Sequence, residues 1–163
     1  MKRNIPPKSE TTLLEPLATL TAAQIHVPVT EAQFAAASAD IMAAGIAGFD
    51  TESKPTFVTG DISQGPHLVQ FALADKAYLF QVHLDACRPW LVRLLESPDL
   101  LKVGFGLSSD RGQIRAKLGV TLAALLDLGS VFSRDGYHST VGARAAVAIV
   151  LQRKFHKSKK VTT

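Results

Sequence analysis

Apolar and polar positions change period several times along the chain, and each change marks an element. Residues 1 to about 20 are polar and contain Pro6, Pro7 and Pro16, the composition of a loose N-terminal arm. Ile25-His26-Val27-Pro28-Val29 alternates as a strand does, and Pro28, which has no N–H to give to a ladder, places it at a sheet edge. Thr30-Glu31-Ala32-Gln33 has the spacing of a capping box, so a helix is predicted from there to about Ala44, with Gly45 as its stop. Ile46–Glu52 runs from apolar to acidic and reads as a strand ending in charge. Residues 53–66 hold Pro55, Gly60, Gly65 and Pro66 and read as loop. Two apolar runs, 67–73 and 77–82, flank Ala74-Asp75-Lys76 as a hairpin. A helix follows over 85–96, stopped by Ser97-Pro98. Residues 101–105 form a buried-looking strand. Ser108 or Ser109 is the expected cap of a helix running to about Leu118, with Gly119 beyond it. Residues 125–128 fit either a short strand or a first turn of helix, and 140 to about 155 reads as a helix.

This order is strand, helix, three strands, helix, strand, helix, strand, helix. Early antiparallel pairs followed by alternation predict an α/β fold, a mixed sheet covered by helices. The right-handed crossover rule brings the ends of the first long strand and the 101–105 strand near each other.

Composition narrows the class. With 163 residues, 47% hydrophobic and 20% charged, the chain has the makings of one globular domain and not of a disordered one. No apolar run approaches the roughly 18 residues that span a bilayer. The basic start, Met1-Lys2-Arg3, has no apolar stretch behind it, so no secretory signal is expected and the expected location is cytoplasmic. The single cysteine, Cys87, excludes an internal disulfide and a multi-cysteine zinc site, and reads as a small buried side chain. The formal charge of +4 is unevenly spread. The last acid is Asp135, and after it come Arg144, Arg153, Lys154, Lys157, Lys159 and Lys160, attached to a slightly acidic body. Such a run attracts a phosphate backbone by releasing counterions, and equally serves as a solvated helix end.

The candidate chemistry is acidic. Asp50 and Glu52 are two apart on a strand, so both side chains share one face. Adjacent carboxylates repel unless a cation or proton lies between them, and hard divalent cations prefer such oxygen ligands. Asp110 opens a helix directly after the 101–105 strand. If that strand neighbours the Asp50 strand, the three carboxylates converge on one site. Gly104-x-Gly106 lacks the third glycine of a dinucleotide fingerprint, and the five histidines show no metal-ligand spacing.

Gly48-Phe49-Asp50-Thr51-Glu52-Ser53-Lys54-Pro55 resembles the first motif of the DEDD-superfamily 3′-5′ exonucleases, nearest to the ribonuclease D and Werner-type branch. Residues 65–72 are similar to that family's next strand. Lys102-Val103-Gly104-Phe105-Gly106-Leu107-Ser108-Ser109-Asp110 resembles its second motif, and Leu126-Asp127-Leu128 the segment that follows. The resemblance covers residues 23 to 163 and leaves 1–22 as a flexible arm. It implies a ribonuclease H-like mixed sheet, its first three strands antiparallel and the later ones parallel, flanked by helices. It implies two divalent cations, Mg²⁺ or Mn²⁺, on Asp50, Glu52 and Asp110, with Asp50 bridging both. The implied substrate is the 3′ end of DNA or RNA, with no membrane role. Thr51, Lys54, Phe57 and Phe105 near the motifs, and Lys157, Lys159 and Lys160 in the basic run, are the candidate nucleic-acid contacts.

The pattern departs from the family at its third motif, a tyrosine or histidine a few residues before a final aspartate. Asp127 and Asp135 come too early for that aspartate, and Tyr137 and His138 have no acid after them. The expected explanation is that the fourth acid belongs to further sequence beyond Thr163. The alternative is a nucleic-acid-binding module, catalytically inactive for want of that acid. A protein-interaction domain on the same fold is a third possibility, and it binds neither metal nor nucleic acid.

Overall fold

A computed structural model of the chain describes residues 3–54, 65–137 and 140–155. Its strands are β1 (Ile25–His26), β2 (Ile46–Glu52), β3 (Leu68–Ala72), β4 (Ala77–Gln81), β5 (Leu101–Gly104) and β6 (Leu125–Asp127). Its helices are α1 (Lys8–Thr11), α2 (Glu31–Ala44), α3 (Arg88–Glu96), α4 (Ser108–Leu118), α5 (Leu128–Arg134) and α6 (Ala143–Leu151). Among the described residues, no helix is long and apolar enough to cross a membrane. The chain divides into two compact units, Leu20–Asp127 and the pair of segments Met1–Thr19 and Leu128–Thr163.

Leu20–Asp127 contains the whole sheet, in the order β1-β4-β3-β2-β5-β6. β2, β3 and β4 are antiparallel, while β5, β6 and the short β1 pair in parallel. This is the mixed sheet expected from the element order. β2 sits at its centre because its alternation is complete: Ala47 and Phe49 are buried, and Ile46, Gly48, Asp50 and Glu52 are exposed. The buried face continues through Val69, Phe71 and Phe80, and receives Phe34, Ala37 and Ile41 of α2, Leu91, Leu94 and Leu95 of α3, and Ile114 and Leu118 of α4. Each wholly buried Leu or Phe contributes about 1.5–3 kcal/mol of transfer free energy.

Local signals place the helices as read. Thr30 Oγ1 accepts from the Gln33 N–H at 3.3 Å, and Gln33 Oε1 accepts from the Thr30 N–H at 3.1 Å, a closed capping box. Gly45 then ends α2 in the left-handed conformation, at φ +68°. Cys87 is buried, and burial raises its thiol to about 11.

Three expectations need correction. The edge strand stops after His26, because Pro28 cannot extend the ladder. Neither Ser108 nor Ser109 caps α4. Leu107 is at the cap position without a side-chain bond, and Ser109 Oγ turns back to Gly106 O at 3.3 Å. The last helix is shorter than 140–155, since Gln152 adopts a left-handed conformation at φ +52°. The reading of residues 125–128 stands, with the short strand β6 ending at Asp127 and the first turn of α5 beginning at Leu128.

One burial was not foreseen. Lys102 on β5 is wholly buried, and its ammonium donates to Leu94 O, Ser97 O and Leu100 O at 3.1, 3.0 and 2.9 Å. The C-terminal carbonyls of a helix have no partner within it, and Lys102 serves those at the end of α3. Burial lowers its pKa to about 8.

In the other unit, the arm expected to be loose carries the one-turn helix α1, with Thr11 buried. Leu17 N–H donates to Lys154 O at 2.9 Å, and Lys154 N–H to Glu15 O at 2.8 Å. Arg3 pairs with Asp135 and lies over the Tyr137 ring.

Candidate active site

The carboxylates singled out in the sequence lie at one end of two neighbouring strands. β2 pairs with β5 in parallel, with Ile46, Ala47 and Gly48 opposite Leu101, Lys102 and Val103. Both strands run toward the same end, where β2 delivers Asp50-Thr51-Glu52 and the turn after β5 delivers Asp110 in the first turn of α4. Gly104 permits this approach. A Cβ there would lie 2.4 Å from the Phe49 carbonyl oxygen and 2.7 Å from Leu107 Cδ2, so only glycine lets the chain pass so close to β2.

Alternation then sorts the side chains. Asp50 and Glu52 are exposed on one face, as the period of two requires, and Thr51 points the other way and is half-buried. Asp110 is buried at 7% exposure. Thr51 Oγ1 donates to Asp110 Oδ1 at 2.5 Å, and Ser109 Oγ stands 3.5 Å from Oδ2. The three acids are thus brought to one end of the sheet. Among the described residues, no group of three or more His, Cys, Asp or Glu side chains gathers closely enough to hold a metal ion.

Neighbouring bonds fasten this end of the sheet. Asp127 at the end of β6 accepts from the Leu107 N–H at 3.0 Å, which fixes the turn from β5 into α4. Ser53 Oγ and Gln113 Oε1 are 2.8 Å apart, a link from the residue after β2 to α4. His67 donates its N–H to Glu52 O at 2.8 Å, and its Nδ1 accepts from the Lys54 N–H at 3.0 Å. Burial, with Lys54 and Lys117 nearby, lowers the His67 pKa and keeps Nδ1 free to accept.

The remaining candidates separate. Lys54 is exposed and Phe105 half-buried beside the site. Thr51 is committed to Asp110 rather than turned outward. Phe57, Lys157, Lys159 and Lys160 lie outside the described residues. Sequence reasoning missed the roles of Asp127, His67 and Gln113. Only Asp127 had a signal, an acid ending a short apolar run.

Carboxylate oxygen is the donor type that hard divalent cations prefer. Asp50 and Glu52 present carboxylate oxygens on one exposed face, and among the described residues Asp110 Oδ2 has a 3.5 Å contact to Ser109 Oγ.

No protein-family model matches the sequence, and no curated protein sequence matches it. Solved structures do match. The EXO domain of Aedes aegypti Nibbler superposes with a TM-score of 0.71 at 22% identity, over 89% of this chain and 76% of that one. Trypanosoma brucei RNase D in complex with RNA U12 superposes at 0.70 and 20% identity, over 90% of this chain and 50% of that one. The EXD2 exonuclease domain, soaked in Mn and GMP, superposes at 0.53 and 17% identity, over 80% and 71%. The chain spans about three quarters of the Nibbler domain and half of that RNase D. The chain has the ribonuclease H-like fold of these exonuclease domains.

Proposed function

We propose that this chain is a metal-dependent 3′-5′ exonuclease domain that removes terminal nucleotides from DNA or RNA. The observation that carries the reading is the placement of Asp50, Glu52 and Asp110. They stand at the ends of adjacent parallel strands, joined across β2 by the Thr51–Asp110 hydrogen bond, on the fold of known exonuclease domains. The chemistry a bound Mg²⁺ or Mn²⁺ would supply is a nucleophile from water at neutral pH and neutralisation of charge on the leaving 3′ oxygen. Asp50 and Glu52 would hold the cations on the exposed face, and Asp110 would be the third carboxylate. Phe105 and Phe57 offer ring faces on which a terminal base stacks. Lys54, Lys157, Lys159 and Lys160 attract the phosphate backbone.

A second reading has an observation of its own. No group of three His, Cys, Asp or Glu side chains close enough to hold a metal ion forms among the described residues. That favours a module that binds nucleic acid without cutting it.

One experiment separates the two. A single strand labelled at its 5′ end is incubated with the purified chain and Mg²⁺ or Mn²⁺. The exonuclease reading expects stepwise shortening from the 3′ end, and a loss of at least about 100-fold in Asp50→Asn with thermal unfolding unchanged. Salt-sensitive binding with no shortening establishes the binding module. An unchanged rate in Asp50→Asn overturns the assignment of the site.

A further inference from the structure

We propose that Lys54 and Lys117, held beside the His67 ring, form a site for the phosphate backbone of a bound nucleic-acid strand. This rests on the reading above that the chain takes such a strand, and adds Lys117 and His67 to it. The two lysines are far apart in sequence, and two sets of bonds bring them to one place. His67, just before β3, donates its N–H to Glu52 O at 2.8 Å and accepts from the Lys54 N–H at Nδ1, at 3.0 Å. The ring is thereby anchored to the chain leaving β2. Ser53 Oγ and Gln113 Oε1, 2.8 Å apart, anchor the same stretch to α4. Lys117 is four residues beyond Gln113, one turn further along the same flank of α4. Both lysines are exposed and His67 is half-buried.

The charges acting on the His67 ring are those of Lys54 and Lys117, both positive, and together with burial they keep it neutral. A neutral ring that accepts at Nδ1 carries its proton on Nε2, so it adds a donor and no third charge. Neither lysine forms an ion pair with a described residue. Two cations beside one ring repel each other, and an anion bound to them relieves that repulsion. An ammonium is a compact charge with three donors, which suits the oxygens of a phosphate. Glu52, whose carbonyl holds His67, is one of the two exposed acids at this end of the sheet. A strand ending at Asp50 and Glu52 therefore has its following phosphates close to the lysines. The helix dipole also favours a cation in the last turn of α4, but it favours Arg115 equally. Arg115 stands about 200° round the helix axis from Lys117, on the opposite flank.

The test uses the full chain, Lys54→Gln, Lys117→Gln, the double variant, and Arg115→Gln as the control. Each substitution keeps a long polar side chain and removes one charge. All the positions are exposed, so every variant should unfold near the parent's midpoint. Binding of a fluorescent single strand is measured over a range of salt in EDTA, where no strand is cut. The expected result is a slope of log affinity against log salt reduced by about 0.7 in Lys54→Gln and in Lys117→Gln, and by about 1.4 in the double variant. Arg115→Gln should keep the parent's slope. An unchanged slope in Lys117→Gln overturns the inference. So does an equal reduction in Arg115→Gln, which makes the effect one of general charge. Inorganic phosphate alone is also titrated against the thermal midpoint. If it binds the parent and not Lys117→Gln while the strand's slope is the same in both, the lysines serve free phosphate and the inference falls. A parent that binds no strand in EDTA and shortens none in Mg²⁺ ends the nucleic-acid reading itself, and this inference with it. A parent that binds or shortens the strand, with Lys117→Gln unaltered, ends this inference alone.

Discussion

Gly104→Ala is the substitution that most directly probes how the site is assembled. The added Cβ would sit 2.4 Å from the Phe49 carbonyl oxygen and 2.7 Å from Leu107 Cδ2. Leu107 can turn aside, but the carbonyl belongs to the central strand and is held by its neighbours. Relief therefore requires about 1 Å of movement between β2 and the chain after β5. Forcing a methyl into a packed interior costs about 1–3 kcal/mol, and a main-chain obstacle puts this case at the upper end. For a protein of 163 residues, each kcal/mol moves Tm by about 2–4 °C, so a drop of about 10 °C is expected. The same movement stretches the Thr51–Asp110 bond, because those residues lie on the two parts being pushed apart. Nuclease activity should fall even at temperatures where the variant is folded. Gly112→Ala is the matched control. It lies in α4 with nothing within 4 Å of the added Cβ, and alanine is better than glycine in a helix by about 1 kcal/mol, so Tm should rise. Calorimetry of the three proteins decides the matter. A Gly104→Ala midpoint within about 2 °C of the parent, or equal changes in both variants, would refute the close-approach argument.

Lys102→Met leaves three carbonyls without their donor, those of Leu94 and Ser97 at the end of α3 and that of Leu100 just before β5. Unmet buried carbonyls cost about 1–3 kcal/mol each, partly offset by relief of the ammonium's desolvation, so denaturant titration should show a net loss of about 3 kcal/mol. The folded pKa of Lys102 is near 8 and the ordinary value is 10.5, so the unfolded chain holds the extra proton between them. Stability due to Lys102 therefore rises with pH across that window, and Lys102→Met should remove the rise. His67 has the acid-side counterpart. Its folded pKa lies below the ordinary 6.5, so its contribution is present above that value and is lost as pH falls below it. His67→Asn, whose amide oxygen replaces Nδ1 as acceptor, should flatten the loss in unfolding curves taken at falling pH.

Much of the fold was legible from short-range rules. The capping box at Thr30, the glycine stops at Gly45 and Gly119, and the hairpin around Ala74-Asp75-Lys76 each depend on residues a few positions apart. The same is true of the shared face of Asp50 and Glu52, since the period of a strand is local. These features appear where the sequence puts them. The failures came where a local motif competed with a distant partner. Ser108 and Ser109 look like caps, but the turn before α4 is held by Asp127, 20 residues from Leu107.

What only the tertiary structure decided is which groups meet across the sheet. A lysine in an apolar strand does not announce that two carbonyls at the end of a helix await it. The sequence shows three acids on two strands, but not that Thr51 stands between β2 and Asp110. That contact exists because β5 lies beside β2 in parallel and α4 packs on the buried face, which places residues 59 apart in sequence within one hydrogen bond. Short-range patterning chose the elements and their exposed and buried sides. Strand order and close packing chose the partners, because those depend on distances that no local spacing encodes.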